Sequence, residues 1–364
     1  MEVGWKSMLY LTLTGRNDWA SQLANSSTPC FFYPSVGLSG VISEMLTLPE
    51  FIDYMKVRGS FSSVGMPYPR NLTSPTYEYD EANQQWKPKT HYPIKDLKPE
   101  RTNSWELGLD MRLFKDFSLG FSWYLANTFN QTFDPKVSVS SGYSKIYLQT
   151  GYVRNSGVEL SLGYGHTWNN HLHWESNFTL SHNKNTIKDL VTSYIHPETG
   201  LPITQNRLDV GGLGKARFIL KKGGTLGDLY TQSDLKRDNS GMVEIDPSGA
   251  LTTEDNLPDI KLGSVFPKAN LAWNNRFEWR GISLSALFTA RIGGIAYSAT
   301  QAAMDQYGVS ERSAQARDNG GVLLNGRTLV DAQTYYSLIG NSSGLPQYYT
   351  YSATNVRLQE ASVG

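Results

Sequence analysis

The residues whose types and spacing suggest chemistry are few. His171 and His173 flank Leu172, with His166 and His182 close in sequence, so a metal site is the first possibility to weigh. At strand spacing the pair shares a face, but no carboxylate-rich partner set with ligand spacing joins it, and a solvated, turn-proximal pair is expected. The segment VGGLGKAR carries Gly211, Gly212, Gly214 and Lys215 but lacks a Gly four residues before the Gly-Lys pair. Ala216 stands where a phosphate loop needs Ser or Thr. Asp234, Asp238, Asn239, Gly241, Glu244 and Asp246 resemble an interrupted calcium loop, with Lys236 at the third position and no Glu at the twelfth, which favours a solvated acidic turn. Glu106 and Asp110 lie on one face of a strand about 13 Å apart at ~3.3 Å per residue, too far for a glycosidase pair within that strand. No catalytic, cofactor-binding or metal residue is assigned, and the chain is not expected to be an enzyme.

The elements that carry these residues follow from composition and period. The chain has 364 residues, 33 basic and 33 acidic, so no net field draws it to nucleic acid, and no nucleic-acid partner is expected. One cysteine, Cys30, excludes an internal disulfide. With 18% charged residues and 12% aromatic ones, the composition is that of a folded, β-rich protein. No apolar run is long enough for a membrane-spanning helix, and the residues after Met1 do not form an export signal.

Alternation with period two recurs along the chain. Over 105–113, Trp105, Leu107, Leu109, Met111 and Leu113 alternate with Glu106, Gly108, Asp110 and Arg112; over 117–129, Phe117, Leu119, Phe121, Trp123 and Leu125 alternate with Ser118, Gly120, Ser122, Tyr124 and Ala126. Ten strands are predicted, at 5–17, 31–44, 51–64, 103–114, 117–133, 153–167, 171–187, 267–279, 281–298 and 348–361, with one short helix over 297–306. Several reach the roughly 9–11 residues that a tilted transmembrane strand needs.

Connections alternate between short (Met45–Glu50, Phe114–Asp116, Gly165–Asn170, Trp279–Gly281) and long (18–30, 65–102, 134–152, 188–266, 299–347). That sorting is expected of an outer-membrane barrel, tight on the periplasmic side and elaborated outside. Aromatics near the short turns, Phe114, Phe117, Trp168, Trp174 and Trp279, suit an interfacial girdle, although alternation and aromatics also fit a soluble sandwich.

Several strings carry a family resemblance: YLTLTGRNDWASQL, FFYPSVGLSGVISE, IDYMKVRGSFSSVGMP, LKPERTNSWELGLDMRLF, VRNSGVELSLGYG, VFPKANLAWNNRFEWRGISLSALFTARIGG and YSATNVRLQEASVG. In this order and spacing they resemble barrel segments of the SusC/RagA family of TonB-dependent outer-membrane transporters. The resemblance implies an all-β fold: a partial transmembrane antiparallel up-and-down β-barrel, its ten strands standing for the eleventh to twentieth of a 22-stranded barrel. It also implies uptake of glycans or peptides, a SusD-like surface lipoprotein, the TonB complex and outer-membrane lipid as partners, and no cofactor. The family's plug, TonB box, signal peptide and remaining strands have no counterpart in the sequence. Residues 1–364 are therefore expected to be one incomplete barrel domain, unable to transport alone, with Trp5–Asn17 and Tyr348–Ser362 as unpaired edges.

Glu106, Asp110 and Arg112 are expected on the concave, lumen-facing side, and Trp86, Tyr92 and Tyr230 in long loops are candidate contacts for ligand or partner. The alternative is a soluble all-β carbohydrate-binding or carbohydrate-active protein, for which aromatic-rich loops would serve sugars.

Overall fold

The computed structural model describes residues 1–23, 26, 29–67, 77–88, 91–92, 98–133, 145–146, 148–169, 171–195, 202–341 and 344–364. Eleven strands form one antiparallel sheet: β1 (Glu2–Trp5), β2 (Leu9–Trp19), β3 (Cys30–Val41), β4 (Ile52–Met66), β5 (Glu100–Leu113), β6 (Phe117–Phe133), β7 (Leu148–Trp168), β8 (Leu172–Asp189), β9 (Ala269–Trp279), β10 (Ile282–Ile292) and β11 (Asn355–Val363). Every strand pairs with its neighbour in this order, without a crossover, and β1 and β11 are the two ends of an open sheet. Because each step reverses direction, the short connections share one end and the long ones the other.

All ten predicted strands are present, and four spans are corrected; the span 31–44 ends at Val41, because Ile42–Met45 forms a single helical turn. The span 5–17 contains a hairpin: Lys6 and Ser7 have φ of 49° and 56°, the Met8 N–H donates to the Trp5 carbonyl, and Trp5 pairs with Leu9. The edge is therefore Glu2–Trp5, not Trp5–Asn17, and the alternation count missed it because β1 is only four residues long. The span 281–298 breaks where Gly293 and Gly294 take φ of 77° and 84°. Pro346–Tyr349 is a 3-10 turn, so the other edge begins at Asn355 instead of Tyr348. Of the tight turns, Arg280–Gly281 is a two-residue hairpin loop with both residues at positive φ, the type I′ geometry whose twist matches paired strands.

Register fixes two chemically opposite faces. Arg58, Gly108, Ser122, Glu159, Ser181, Asn270, Arg291 and Asn355 are consecutive cross-strand partners from β4 to β11 and form one lateral row. One residue along, the rows are apolar, as in Leu107–Trp123–Val158 and Leu109–Phe121–Leu160–Leu180–Leu271–Ala290–Val356. A cavity of about 660 Å³ is bounded by residues from every strand between β4 and β11 and holds Asp110, Glu159, Arg291 and Arg357. A sheet can enclose one cavity with eight strands only by curving round it, so the polar face is concave and the apolar face convex. Large side chains on the convex face remain exposed, among them Trp105 at 54%, Leu107 at 56%, Leu284 at 50% and Val356 at 72%.

The main apolar cores lie in the long connections. Between β8 and β9, strands Arg207–Leu213, Ala216–Lys221, Asp228–Thr231 and Ile260–Ser264 form a separate four-stranded sheet. Between β10 and β11 come helices α1 (Ala299–Gln306), α2 (Glu311–Asp318) and α3 (Ala332–Ile339). The predicted helix at 297–306 is α1, started by Ser298, whose side chain accepts from the Gln301 N–H. The two connections pack together through Leu235, Val243, Leu251, Ala302, Val330, Tyr335, Ile339, Leu345 and Tyr349. A second cluster, Val153, Ile187, Leu190, Leu208 and Leu220, roots the small sheet on β7 and β8.

The two faces yield a direct test. Arg in place of Leu107 puts a cation into hydrocarbon on the convex side and should destabilise the membrane-inserted protein by about 2–4 kcal/mol near the bilayer midplane. Arg in place of Ser161, on the concave side, should cost much less. Denaturant titration in lipid vesicles measures both, and equal costs would refute the assignment of faces.

Candidate functional site

The concave wall is built from side chains laid flat against the sheet. Arg58 on β4 reaches across β5: its Nη1 donates to Asp110 Oδ2 at 2.7 Å, its Nη2 to Ser122 Oγ on β6 at 2.6 Å, and its Nε lies 3.5 Å from Glu106 Oε1. The path is open because residue 108 is glycine; a Cβ there would come within 2.5 Å of the Arg58 guanidinium. Tyr124 crosses Gly157 on β7 in the same way. Small residues thus take up the bulk of large ones, and the wall keeps its polar groups without closing the cavity.

Of the expected wall residues, Glu106 and Asp110 are brought together by one guanidinium from a neighbouring strand. Sequence spacing gives their separation but not the cation between them. One guanidinium spanning the two acids ties them into a cross-strand clamp. Arg112 shares their face, opposite Tyr54 and Ser118, and is exposed. Farther along the wall Glu159 lies between Ser122 and Ser181, and Arg291 and Arg357 stand on the last two strands.

The three loop aromatics fall differently. Trp86 is 67% exposed on the hairpin Tyr77–Asp80/Gln85–Pro88, tilted against Tyr79 with ring centroids 5.2 Å apart. Tyr92 belongs to the pair His91–Tyr92/Lys145–Ile146, and its side chain lies outside the described residues. Tyr230 is only 6% exposed, its ring flanked by Lys221 Nζ at 5.0 Å and Lys261 Nζ at 5.9 Å. Its role as a surface contact is therefore corrected: it packs the small sheet, because a strand buried on both faces leaves the ring no path to solvent.

The motifs set aside in the sequence have structural partners. His166 Nδ1 lies 2.8 Å from Asp116 Oδ2, and His173 Nδ1 lies 2.9 Å from Thr167 Oγ1. The apparent calcium loop is two hairpins, each closed by an Asp-Xaa-Ser-Gly turn. Asp238 accepts from the backbone N–H groups of Ser240 and Met242, and Asp246 from those of Ser248 and Ala250. The eight-residue repeat of DNSGM and DPSGA was the available sign of this. Hydrogen bonds from the Ser240 and Ser248 hydroxyls, joined by those backbone bonds, hold both carboxyls below the usual aspartate range.

Ion pairs lock the long connections. Asp305, with no side-chain exposure, accepts from Arg312 Nε at 2.6 Å and from Gln301 Nε2 at 2.9 Å. Burial disfavours the Asp305 carboxylate, but hydrogen bonds from Arg312, Ser310 and Gln301 outweigh it, and its pKa lies below the ordinary value. Asp259, its side chain 5% exposed, is gripped by Arg207 at 2.7 Å and Lys221 at 2.9 Å.

These features meet in a known architecture. A family model described as TonB dependent receptor-like, beta-barrel matches residues 2–357. The chain belongs to this family of outer-membrane β-barrels. The TonB-dependent receptor P39 of Formosa agariphila is 24% identical over 262 residues, covering 69% of this chain and 22% of that protein. The RagAB peptide importer in its open-open state superimposes with a TM-score of 0.71 at 18% identity, over all of this chain and 39% of the other. A second RagAB peptide transporter structure gives 0.73 at 17% identity, over all of this chain and 40% of the other. The chain thus spans about two fifths of the RagAB chains it matches and about one fifth of the curated relative. In the family's terms the convex belt faces lipid. Rings linked from Phe114 to Phe117, Tyr164, Trp174 and Phe277, all near the short turns, form a girdle there.

The loop ion pairs predict acid lability. The Arg207 hydrogen bond, helped by Lys221 and opposed by burial, lowers the Asp259 carboxyl from 3.8 to about 2. A depressed folded-state pKa contributes stability fully above the unfolded value and loses it as pH falls through the folded one. Protection of the strands Arg207–Leu213 and Ala216–Lys221 against hydrogen exchange should hold at pH 5 and fall between about pH 4 and 2, as measured by mass spectrometry. In Asp259→Asn that fall should be absent, because the protection is already reduced at pH 5.

Proposed function

We propose that this chain supplies wall and loops to a TonB-dependent importer of large nutrients, working with a SusD-like lipoprotein over the long-loop end and with the TonB complex. The single observation that carries the reading is the polar concave wall backed by an apolar convex belt, in the family whose members import through a plugged barrel. The wall offers water-compatible groups around a bore, and the belt has no use outside lipid. The long connections, with their own cores, supply a folded rim for cargo and lipoprotein. RagAB is described as a peptide importer, and its likeness to this chain favours peptide over oligosaccharide as cargo. In this reading Glu106, Asp110 and Arg112 line the bore, and Trp86 is an exposed rim contact. The soluble carbohydrate-binding alternative has to leave the whole convex belt in water, an apolar surface far beyond what soluble monomers tolerate.

Uptake of fluorescent oligopeptides and oligosaccharides by native cells, with and without the gene, tests the function. Uptake should fall to background in the deletion and equally when a protonophore collapses the proton gradient. Import that continues unchanged without the gene, for both cargo classes, would overturn the proposal. A protein that purifies from the aqueous fraction as a detergent-free monomer would overturn it as well.

A further inference from the structure

The concave face changes character toward the long-connection end. There the lateral row Thr102–Thr128–Val153–Ile187 sets two aliphatic side chains next to each other on β7 and β8. Pairing runs without a shift from Glu159 and Ser181, which line the cavity, to Val153 and Ile187, so all four point to the concave side. Ile187 stands six residues beyond Ser181, about 20 Å at ~3.3 Å per residue. Val153 is 1% exposed and Ile187 0%, and what covers them is the small sheet, through Leu208 and Leu220. Residues on the inner face of a wall are covered only by something inside its curve. The small sheet therefore folds inward. Polar contacts hold it there: Asn185, on the same face, accepts from the Leu226 N–H at 2.9 Å, the Ile187 N–H donates to the Gly224 carbonyl, and the Gly223 N–H donates to the Ile187 carbonyl. At its far side the Val265 carbonyl accepts from Arg291 Nη2 on β10 at 2.6 Å, and a Cβ on Gly263 would come within 2.9 Å of Ile295. The small sheet thus crosses the concave side from β7 to β10 and comes down to the border of the cavity at Arg291.

We infer that the small sheet is a fixed sieve between the mouth and the cavity: rooted on Val153 and Ile187, it admits an extended peptide to the wall and holds back a folded polypeptide. A chain that threads is judged by its cross-section and not by its length, so an inward shelf narrows the range of cargo shapes without reading their sequence. A sieve also has to be stiff. The small sheet is buried on both faces, with Leu220 at 3% and Ile219, on the opposite side, at 0%, and a close-packed interior of this kind resists deformation. The apolar root explains itself in the same terms, since Val153 and Ile187 would be misplaced on a water-lined wall unless something stood on them. The inference rests on the proposed reading of the concave face as a water-filled bore.

Thiol labelling inside the cavity tests the sieve in the full protein, purified in detergent and freed of lipoprotein. Ser181→Cys places a thiol on the cavity lining, and Cys30→Ser removes the one this chain already has. Two maleimides are compared, one on the end of a short Gly-Ser peptide and one attached to the surface of folded ubiquitin, with adducts located by peptide mapping. With the shelf in place the peptide reagent should label Cys at 181 and the ubiquitin reagent should stay at background. Ile187→Asp and Leu220→Asp put a charge into the root from opposite sides. Either should speed hydrogen exchange over Arg207–Lys221 and raise ubiquitin labelling to the level of the peptide reagent, while Ile187→Val leaves both as they were. Ubiquitin labelling with the shelf intact overturns the sieve, as does continued exclusion after exchange has shown the shelf released. Unchanged exchange in both Asp variants overturns the rooting on which the sieve depends. Peptide labelling in every variant shows that the barrel is folded and the bore open; its absence throughout sinks the bore reading instead.

Discussion

Lipid gives a backbone N–H or C=O nothing to bond, so a strand crossing hydrocarbon must find every partner on its neighbours. The rest of this structure depends on that requirement. It fixes the up-and-down order, since neighbouring antiparallel strands match their groups along most of lengths such as the 21 residues of β7, whose register shifts are confined to Gln149–Val153 and which runs without a break from there to Tyr164 on one side and Trp168 on the other. That register in turn fixes the faces. One residue of slip anywhere between β4 and β11 would send Arg58, Glu159 or Arg291 outward and Leu or Phe inward. The lateral row from Arg58 to Asn355 records that no such slip occurs.

With the backbone committed to the ladder, the wall manages its bulk through side chains alone. Gly108 under Arg58 and Gly157 under Tyr124 leave slots in which long side chains lie parallel to the sheet. Arg58 then binds partners on two further strands, Asp110 and Ser122, and the cross-link runs perpendicular to the chain direction. Hydrogen bonds in the ladder hold neighbours together, while a guanidinium laid across three strands adds a tie that resists shear between them.

What the sequence disclosed followed the same division. Period-two patterning is strong where one face meets lipid and the other water, which made β2 to β11 legible and placed Glu106, Asp110 and Arg112 on one face. It is weak for the four residues of β1, and absent where a strand is buried on both sides, as at Asp228–Thr231. Helices α2 and α3, eight residues each, were not found, because two turns give too little period to register; ERSAQARD has almost no apolar stripe at all. Tyr230 was misjudged because loop composition says nothing about burial. Its cover, Lys221 and Lys261, comes from strands that are distant in sequence or visible only after folding. The Asp-Xaa-Ser-Gly turns looked like a cation loop because the same carboxylates serve either a metal or backbone N–H groups, and spacing alone does not separate the two.

Charge compensation divides the molecule differently from burial. In the long connections nearly every buried carboxylate has its cation, as in Asp305 with Arg312, Asp259 with Arg207 and Lys221, and Asp228 with Lys261. These pairs are costly to desolvate and contribute little net energy, but each leaves a buried charge behind if it separates. A rim held this way has few alternative packings and keeps its shape at the open end of the sheet, where no strand ladder reaches. The wall pairs its charges where they stay hydrated, as in Arg58 with Asp110, both side chains more than a third exposed. A rim of buried pairs and a wall of hydrated ones serve different tasks: the first holds a surface in place, and the second keeps polar groups in contact with the water of the cavity.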